Sequence, residues 1–316
     1  YLIFKFFYYQ IFYKNDFSRF NMILNASGRT DIVAFYTPWF MNRYHEGFLD
    51  VRNPFNRDMV SRINFDDVDL ISFCTKNPAP IVKRIGEIEK PIQFQVTLTA
   101  YGRDIEPQVP LKARTIKYIK KIAPIIGKEN ITIRYDPILF NDKYDLEYHI
   151  DKFDKYCKSL NGYADRLTIH FVDDYKNVRR NRDVLSYREV TDNDYKVIGE
   201  NFARSAKEND MTVFACFEDR NLCEYGFSHD ECLSPALAYK LTGKEYPRWT
   251  AREGNKCHCV QMADVGEYNT CRHFCKYCYA NYDEKRVRSN CKVHYEDSSL
   301  LIGRLKKNDV IKLRKD

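Results

Sequence analysis

Between Met22 and Phe217, six strand-like runs are separated mostly by connections of helical length. Antiparallel strands can be joined by a tight turn, whereas parallel strands need a crossover of about a dozen residues or more. The spacing therefore selects a mainly parallel sheet with helices packed against it. The strands are expected at Met22–Ser27, Val68–Thr75, Ile92–Ala100, Ile131–Tyr135, Arg166–Val172 and Thr212–Phe217, with helices at Leu111–Ile126, Leu146–Leu160 and Asp192–Glu208. In the last helix Tyr195, Ile198, Phe202 and Ala206 recur at helical spacing behind Thr191, a good N-cap residue. No internal repeat is visible and no polar linker divides the chain before about residue 245. We expect an α/β fold, a TIM-like full or partial (β/α) barrel over residues 22–245, with a cysteine-rich segment and basic tail, residues 246–316, packed on it. Residues 1–21 begin YLIFKFFYYQIFY, which is too short to span a bilayer and lacks a small-residue cleavage site after it. Since Met22 opens the strand pattern, residues 1–21 are expected to lie outside the fold.

Within the strands, apolar and polar residues alternate. Phe94, Val96 and Leu98 oppose Gln93, Gln95, Thr97 and Thr99; Ile133 and Tyr135 oppose Thr132, Arg134 and Asp136; Leu167, Ile169 and Phe171 oppose Thr168 and His170. With helices over the apolar face, the polar face points into the barrel and reads as a binding lumen, where a buried Arg134 needs a carboxylate or a substrate as partner. An antiparallel sheet with one solvated face would give the same alternation, but the long connections speak against it. Just past the strand ends stand Arg29 and Asp31, Lys76 and Asn77, Tyr101 and Arg103, Asp136, Asp173 and Asp174, then Glu218 and Asp219. Barrel chemistry collects at that rim. Each alone fits a turn or cap residue, so the set carries the argument. We take Arg134, Asp136 and His170 as candidate catalytic groups, and Gln95, Arg29 and Asp31 as candidate cofactor contacts.

The composition, 44% apolar and 30% charged, fits a folded, non-fibrous chain and excludes low-complexity and polytopic membrane classes. Its eleven cysteines are odd in number, and Cys257, Cys259, Cys271, Cys275, Cys278 and Cys291 crowd into one stretch. That is a poor disulfide framework and points to a reducing cytoplasm and a metal. The spacing Cys271-x3-Cys275-x2-Cys278 lets three thiolates converge from an irregular loop on one iron–sulfur cluster, each on a different iron. The fourth iron is then open to a small molecule or filled by Cys257, Cys259 or Cys291. Structural zinc is the alternative, using Cys257, Cys259, Cys275 and Cys278, with His258, His273 and His294 as possible imidazole ligands; that set leaves Cys271 unused. Cys74, Cys157 and Cys216 read as small buried hydrophobes, and Cys223 and Cys232 as thiols able to approach the cluster.

This loop, with Tyr277 before its last cysteine, resembles the cluster loop of radical S-adenosylmethionine enzymes, whose usual fold is a full or partial (β/α) barrel with a polar lumen. The resemblance implies a [4Fe-4S] cluster on Cys271, Cys275 and Cys278, with S-adenosylmethionine on the remaining iron and Tyr277 among the cofactor contacts. It further implies an electron donor such as a flavodoxin or ferredoxin, and cleavage of the cofactor to methionine and a 5′-deoxyadenosyl radical that abstracts a hydrogen from an unknown substrate. In those enzymes the loop follows the first barrel strand. Here it follows the sixth, and a permuted barrel would make Val260–Asp264 the strand before it. A likeness over nearly the whole chain is carried by SGRTDI at Ser27–Ile32, Asn77-Pro78, RYDP at Arg134–Pro137, and C-x-C followed by DVGEYNTC and YCYAN. On these residues the chain resembles the bacterial DUF1848 family, whose cysteines are similar to the radical-enzyme loop.

The formal net charge of +7 is uneven, since residues 271–316 hold twelve Lys/Arg against six Asp/Glu. Lys285, Arg286, Arg288, Arg304, Lys306, Lys307, Lys312, Arg314 and Lys315 suit phosphate contacts, with Tyr277, Tyr279 and Tyr282 for base stacking. This gives the alternative function, a zinc- or cluster-stabilised binding protein for nucleic acid or an anionic ligand. A solvated basic surface accounts for the same residues.

Overall fold

The structure is a computed structural model and describes residues 21–218, 220–248 and 258–315. In chain order, β1 (Met22–Asn25) is followed by α1 (Ile32–Phe35), α2 (Thr37–Glu46), the hairpin β2 (Phe48–Arg52) and β3 (Met59–Asn64), then β4 (Val68–Thr75). Next come β5 (Ile92–Thr97), α3 (Lys112–Ile126), β6 (Ile131–Ile138), α4 (Leu146–Leu160), β7 (Arg166–Phe171), and the short α5 (Lys176–Arg180) and α6 (Arg182–Leu185). The chain ends with α7 (Asp192–Glu208), β8 (Thr212–Ala215), α8 (Pro235–Thr242), β9 (Ala263–Asp264), α9 (Glu284–Lys292) and β10 (Val310–Leu313). All six expected strands form, and α4 and α7 have the bounds their periodicity gives.

One seven-stranded sheet runs β8-β7-β6-β5-β4-β1-β9, with every pair parallel. The antiparallel alternative is thereby excluded. Strand order descends steadily from β8 to β1 and then β9 adds on the far side of β1, but β8 and β9 end the sheet without a ladder between them among the described residues, so the expected barrel is not closed. The reason is local. A ladder needs matched strand lengths around the ring, and β9 offers only Ala263 and Asp264, both paired to β1 through Leu24 and Asn25. A second sheet, β10-β3-β2, was not expected: β2 and β3 form an antiparallel hairpin, and β10 adds to β3 in parallel. Arg52 joins the two ends of this sheet by 2.6 Å contacts to both carboxylate oxygens of Asp309.

The apolar strand face carries the main core. Phe94, Val96, Ile133, Tyr135, Leu167 and Ile169 meet Ile119, Ile122, Phe153, Ile198 and Phe202 from α3, α4 and α7. Phe153 and Phe202 stack at 3.7 Å, which locks α4 to α7. α7 starts with a reciprocal capping box between Thr191 and Asp194, and α4 with Asp145 accepting from the Tyr148 amide. No helix among the described residues is long and apolar enough to cross a membrane.

The polar face is buried too, because the chain between β8 and β9 folds back over it. Leu233, Leu237, Ala238, Tyr246 and Val260 pack on Ile23 and Leu70. Gln93, Gln95, Thr97, Thr132 and Thr168 are consequently buried although polar, and their hydrogen bonds must come from within the protein.

His149, on α4, is fully buried, with Nε2 2.9 Å from the Leu139 carbonyl and Nδ1 2.8 Å from the Tyr135 hydroxyl. This pattern assigns the ring proton to Nε2 and makes Nδ1 the acceptor. Burial pushes its pKa down to about 4. The unfolded chain, with an ordinary imidazole near 6.5, takes up the proton first, so stability is unaffected above about pH 6.5 and falls as the pH drops toward 4. Urea denaturation should show a loss of about 3 kcal/mol from this group between pH 7 and pH 4. His149→Gln should be less stable at pH 7 but lack this part of the acid sensitivity; an unchanged pH slope in the variant would contradict the assignment.

Candidate functional site

The cysteine loop, residues 265–280, leaves the C-terminal end of β9 beside the turn that follows β1. Two glycines permit this approach. A Cβ on Gly28 would stand 2.6 Å from Asp264 Oδ2, and one on Gly266 would stand 2.9 Å from the Arg29 amide nitrogen. Arg29 Nε donates to Asp264 Oδ2 at 2.9 Å, tying the β1 turn to β9. Asp31 reaches further: Oδ1 accepts from the Ala34 amide and caps α1, while Oδ2 accepts from the Lys76 amide at 2.9 Å and lies 2.9 Å from His273 Nε2 in the loop.

A second anchor is the buried carboxylate of Glu106. It takes Lys76 Nζ at 2.9 Å, Lys112 Nζ, the Tyr277 hydroxyl and Thr99 Oγ1 at 2.8 Å. Burial alone would raise its pKa, but Lys76 and Lys112 outweigh burial and hold it down at about 2. The same balance holds for Lys76. Burial disfavours its charge, and Glu106 overrides that, so the ammonium stays charged. From the far side Asn177 Nδ2 donates to the carbonyls of Cys278, Tyr279 and Asn281, and Asn181 Nδ2 to that of Lys276 at 2.6 Å. Asn269 and Phe274 both have φ of +56°, which turns the chain tightly enough for the thiols to share one region.

Cys271, Cys275 and Cys278 are half-buried and free of disulfides. Burial raises all three thiol pKa values, opposed at Cys275 by Lys76 and at Cys278 by the amides of Ala280 and Asn281. The Ala280 amide donates to Cys278 Sγ at 3.4 Å. Cys291 lies behind the loop, with Sγ 3.4 Å from the Tyr36 hydroxyl and 3.5 Å from the Thr270 carbonyl.

On the polar face Arg134 has the carboxylate its burial requires. Its Nε stands 3.1 Å from Asp136 Oδ2, and Nη1 donates to Gln95 Oε1 at 2.9 Å and to Cys232 Sγ at 2.8 Å. His170 Nε2 is 2.9 Å from Asp173, and Nδ1 is 2.8 Å from Glu218 Oε1, close enough for an ion pair but off the axis of a hydrogen bond. Burial disfavours the imidazolium, yet Asp173 and Glu218 outweigh it and hold the pKa up at about 10. His170 is therefore a cation at neutral pH.

The candidate residues thus fall into two groups. Arg29, Asp31 and Tyr277 hold the cysteine loop, while Gln95, Arg134, Asp136 and His170 lie on the polar face. Cys257 and Asp219 lie outside the described residues. Cys259 is grouped with Cys216 and Cys232. Cys216 and Cys232, read from the sequence as a buried hydrophobe and a possible visitor to the loop, form with Cys259 a buried thiol triad whose three sulfurs lie within 4.8 Å of one another; this group could hold a metal ion. Glu106, Lys112 and Asn177 were not anticipated. Glu106 lies a few residues beyond Tyr101 and Arg103, past the rim signal at that strand end. Among the basic C-terminal residues, Arg304 pairs with Asp297 at 2.9 Å, Arg288 stacks over Phe274, and Lys312 lies on β10.

A family profile described as "Domain of unknown function (DUF1848)" matches residues 23–280. No match is found among curated proteins or among solved structures.

Removing Glu106 leaves two ammonium groups in a buried site with no carboxylate between them, a change that costs on the order of 3–5 kcal/mol. Glu106→Ala should lower the urea midpoint accordingly and raise alkylation rates at Cys275 and Cys278 as the Tyr277 anchor is lost. Unaltered thiol reactivity in a folded variant would show that Glu106 does not hold the loop.

Proposed function

Because the chain belongs to the DUF1848 family, whose description assigns no activity, we infer its function from the site: an iron–sulfur enzyme of the radical S-adenosylmethionine type, working in a reducing cytoplasm on an unidentified substrate. One observation carries this reading. β9 sits at the sheet edge beside β1, and its C-terminal end releases the cysteine loop. The loop therefore follows an edge strand of the parallel sheet, next to β1, although in sequence it comes after β8; this supports a likeness to the loop after the first strand in the resembling enzymes.

The donor set suits the cluster. Three free thiols come from one irregular loop, one of them already accepts a backbone amide, and Lys76 places positive charge near Cys275. Thiolates on different irons stand farther apart than thiolates on one ion, and among the described residues only the Cys216–Cys232–Cys259 group brings three ligand atoms within 4.8 Å. Cys271, Cys275 and Cys278 would hold the cluster, which when bound supplies the electron that cleaves S-adenosylmethionine. Asp31 and Tyr277 position the loop through His273 and Glu106, and Arg29 fixes the turn beneath it. Gln95, Arg134 and Asp136 offer polar contacts to cofactor and substrate, and the His170 imidazolium is the available proton donor.

Anaerobically reconstituted protein should be brown and contain iron and sulfide in comparable amounts. Cys271→Ala, Cys275→Ala and Cys278→Ala should each lose the colour. Reduced with dithionite, the wild type should change its electron paramagnetic spectrum on adding S-adenosylmethionine and release 5′-deoxyadenosine, measured by chromatography. A fully assembled, reducible cluster that shows neither change at saturating cofactor would overturn the enzymatic reading.

A further inference from the structure

We propose that Cys216, Cys232 and Cys259 hold a single zinc ion that staples the open edge of the sheet between β8 and β9. Cys216 is the residue after β8, and its amide continues the ladder to the Ile169 carbonyl at 3.1 Å. Cys259 approaches β9 from the other edge, in a segment held by the Val260 amide on the Leu233 carbonyl at 3.0 Å and by a bridge between Val260 and Arg248. Cys232 comes from the chain lying between them, over the polar face. All three side chains are buried. Their mutual spacing below 4.8 Å suits one tetrahedral ion, since zinc–sulfur bonds near 2.3 Å put thiolates about 3.8 Å apart.

The charge of the surroundings separates this reading from three buried hydrophobic thiols. Arg134 is held by Asp136 and Gln95 and aims Nη1 at Cys232 Sγ. A guanidinium directed at a buried sulfur calls for negative charge there. Three thiolates around a divalent cation leave one net negative charge, and Arg134, already paired with Asp136, adds to it a charged N–H donor at 2.8 Å from Cys232 Sγ. A second observation is the backbone at Phe217. Its φ of +62° is unusual for a bulky residue, and it bends the chain immediately after Cys216. This site is separate from the loop of Cys271, Cys275 and Cys278, and it stands whether or not that loop carries a cluster.

The test uses the full-length chain, stripped of metal under anaerobic conditions and titrated with Co²⁺ as a spectroscopic substitute for zinc. One equivalent should give thiolate-to-cobalt charge-transfer absorption and tetrahedral visible bands, all displaced by one equivalent of Zn²⁺. Zn²⁺ should also raise Tm by about 5 °C or more. Cys216→Ser and Cys232→Ser should each weaken Co²⁺ binding at least tenfold, whereas the triple variant Cys271→Ser/Cys275→Ser/Cys278→Ser should keep the bands. Where a triad variant loses its circular dichroism, X-ray absorption on the zinc-loaded triple loop variant decides, with a sulfur shell at about 2.3 Å expected. Bands that vanish in the loop variant, a nitrogen and oxygen shell, or iron with sulfide retained in the loop variant would each overturn the proposal.

Discussion

Asp31 is the point where three parts of the chain meet. One carboxylate oxygen starts α1, and the other takes the amide at the end of β4 and the His273 ring of the cysteine loop. The carboxylate is almost fully buried, so its three partners are not interchangeable with water, and losing one weakens the pairing of a buried polar oxygen that water cannot readily restore. The loop can therefore occupy its place only if β1, α1 and β4 are already in theirs. Glu106 imposes the same condition from β5 and α3 through Tyr277. The position of the three loop thiols is a property of the sheet as a whole and not of the short segment that carries them.

The polar strand face raises a related problem, since buried Gln, Thr and Arg side chains are tolerated only when paired. Ser72, Gln93 and Gln95 hydrogen-bond one another, Gln95 passes the chain to Arg134, and Arg134 connects Asp136 with Cys232. The sequence reading gave Arg134 a carboxylate or a substrate as partner. The structure supplies the carboxylate two residues along the same strand and adds a sulfur. A ligand approaching this face meets a network already satisfied by the protein at its lower end, with His170 and the rim residues above it.

What could be read from the sequence follows the strength of the periodic signal. β1, β4 to β8 and helices α3, α4 and α7 were legible because apolar runs of strand and helix period alternate between Met22 and Phe217, and Thr191 marked the start of α7. β9 carries no such signal, since two residues cannot display a period, yet those two residues decide where the cysteine loop sits. β2, β3 and β10 were missed for another reason: Leu49, Val51, Val60 and Ile63 sit among charged residues that obscure the alternation. Spacing revealed the loop thiols because the three lie within eight residues of one another. It could not reveal Cys216 with Cys232 and Cys259, which are distant in sequence and meet only because the chain folds back over the polar face.

That fold-back also brings the chain at the two ends of an unclosed sheet close together. Unpaired strand edges are templates for association, and an open sheet that ends at β8 and β9 has two of them. Leu233, Leu237 and Tyr246 fill the space next to Ile23 and Leu70, and the segment entering β9 passes within sulfur contact of the residue leaving β8. The lower part of the polar face is thereby sealed by the protein's own apolar side chains. The rim beneath the cysteine loop lies at the opposite end, where Asp136, Asp173 and Glu218 converge on His170 and Arg134. Closing one end with core packing and the other with a hydrogen-bonded loop lets the same sheet provide both a stable interior and a charged mouth.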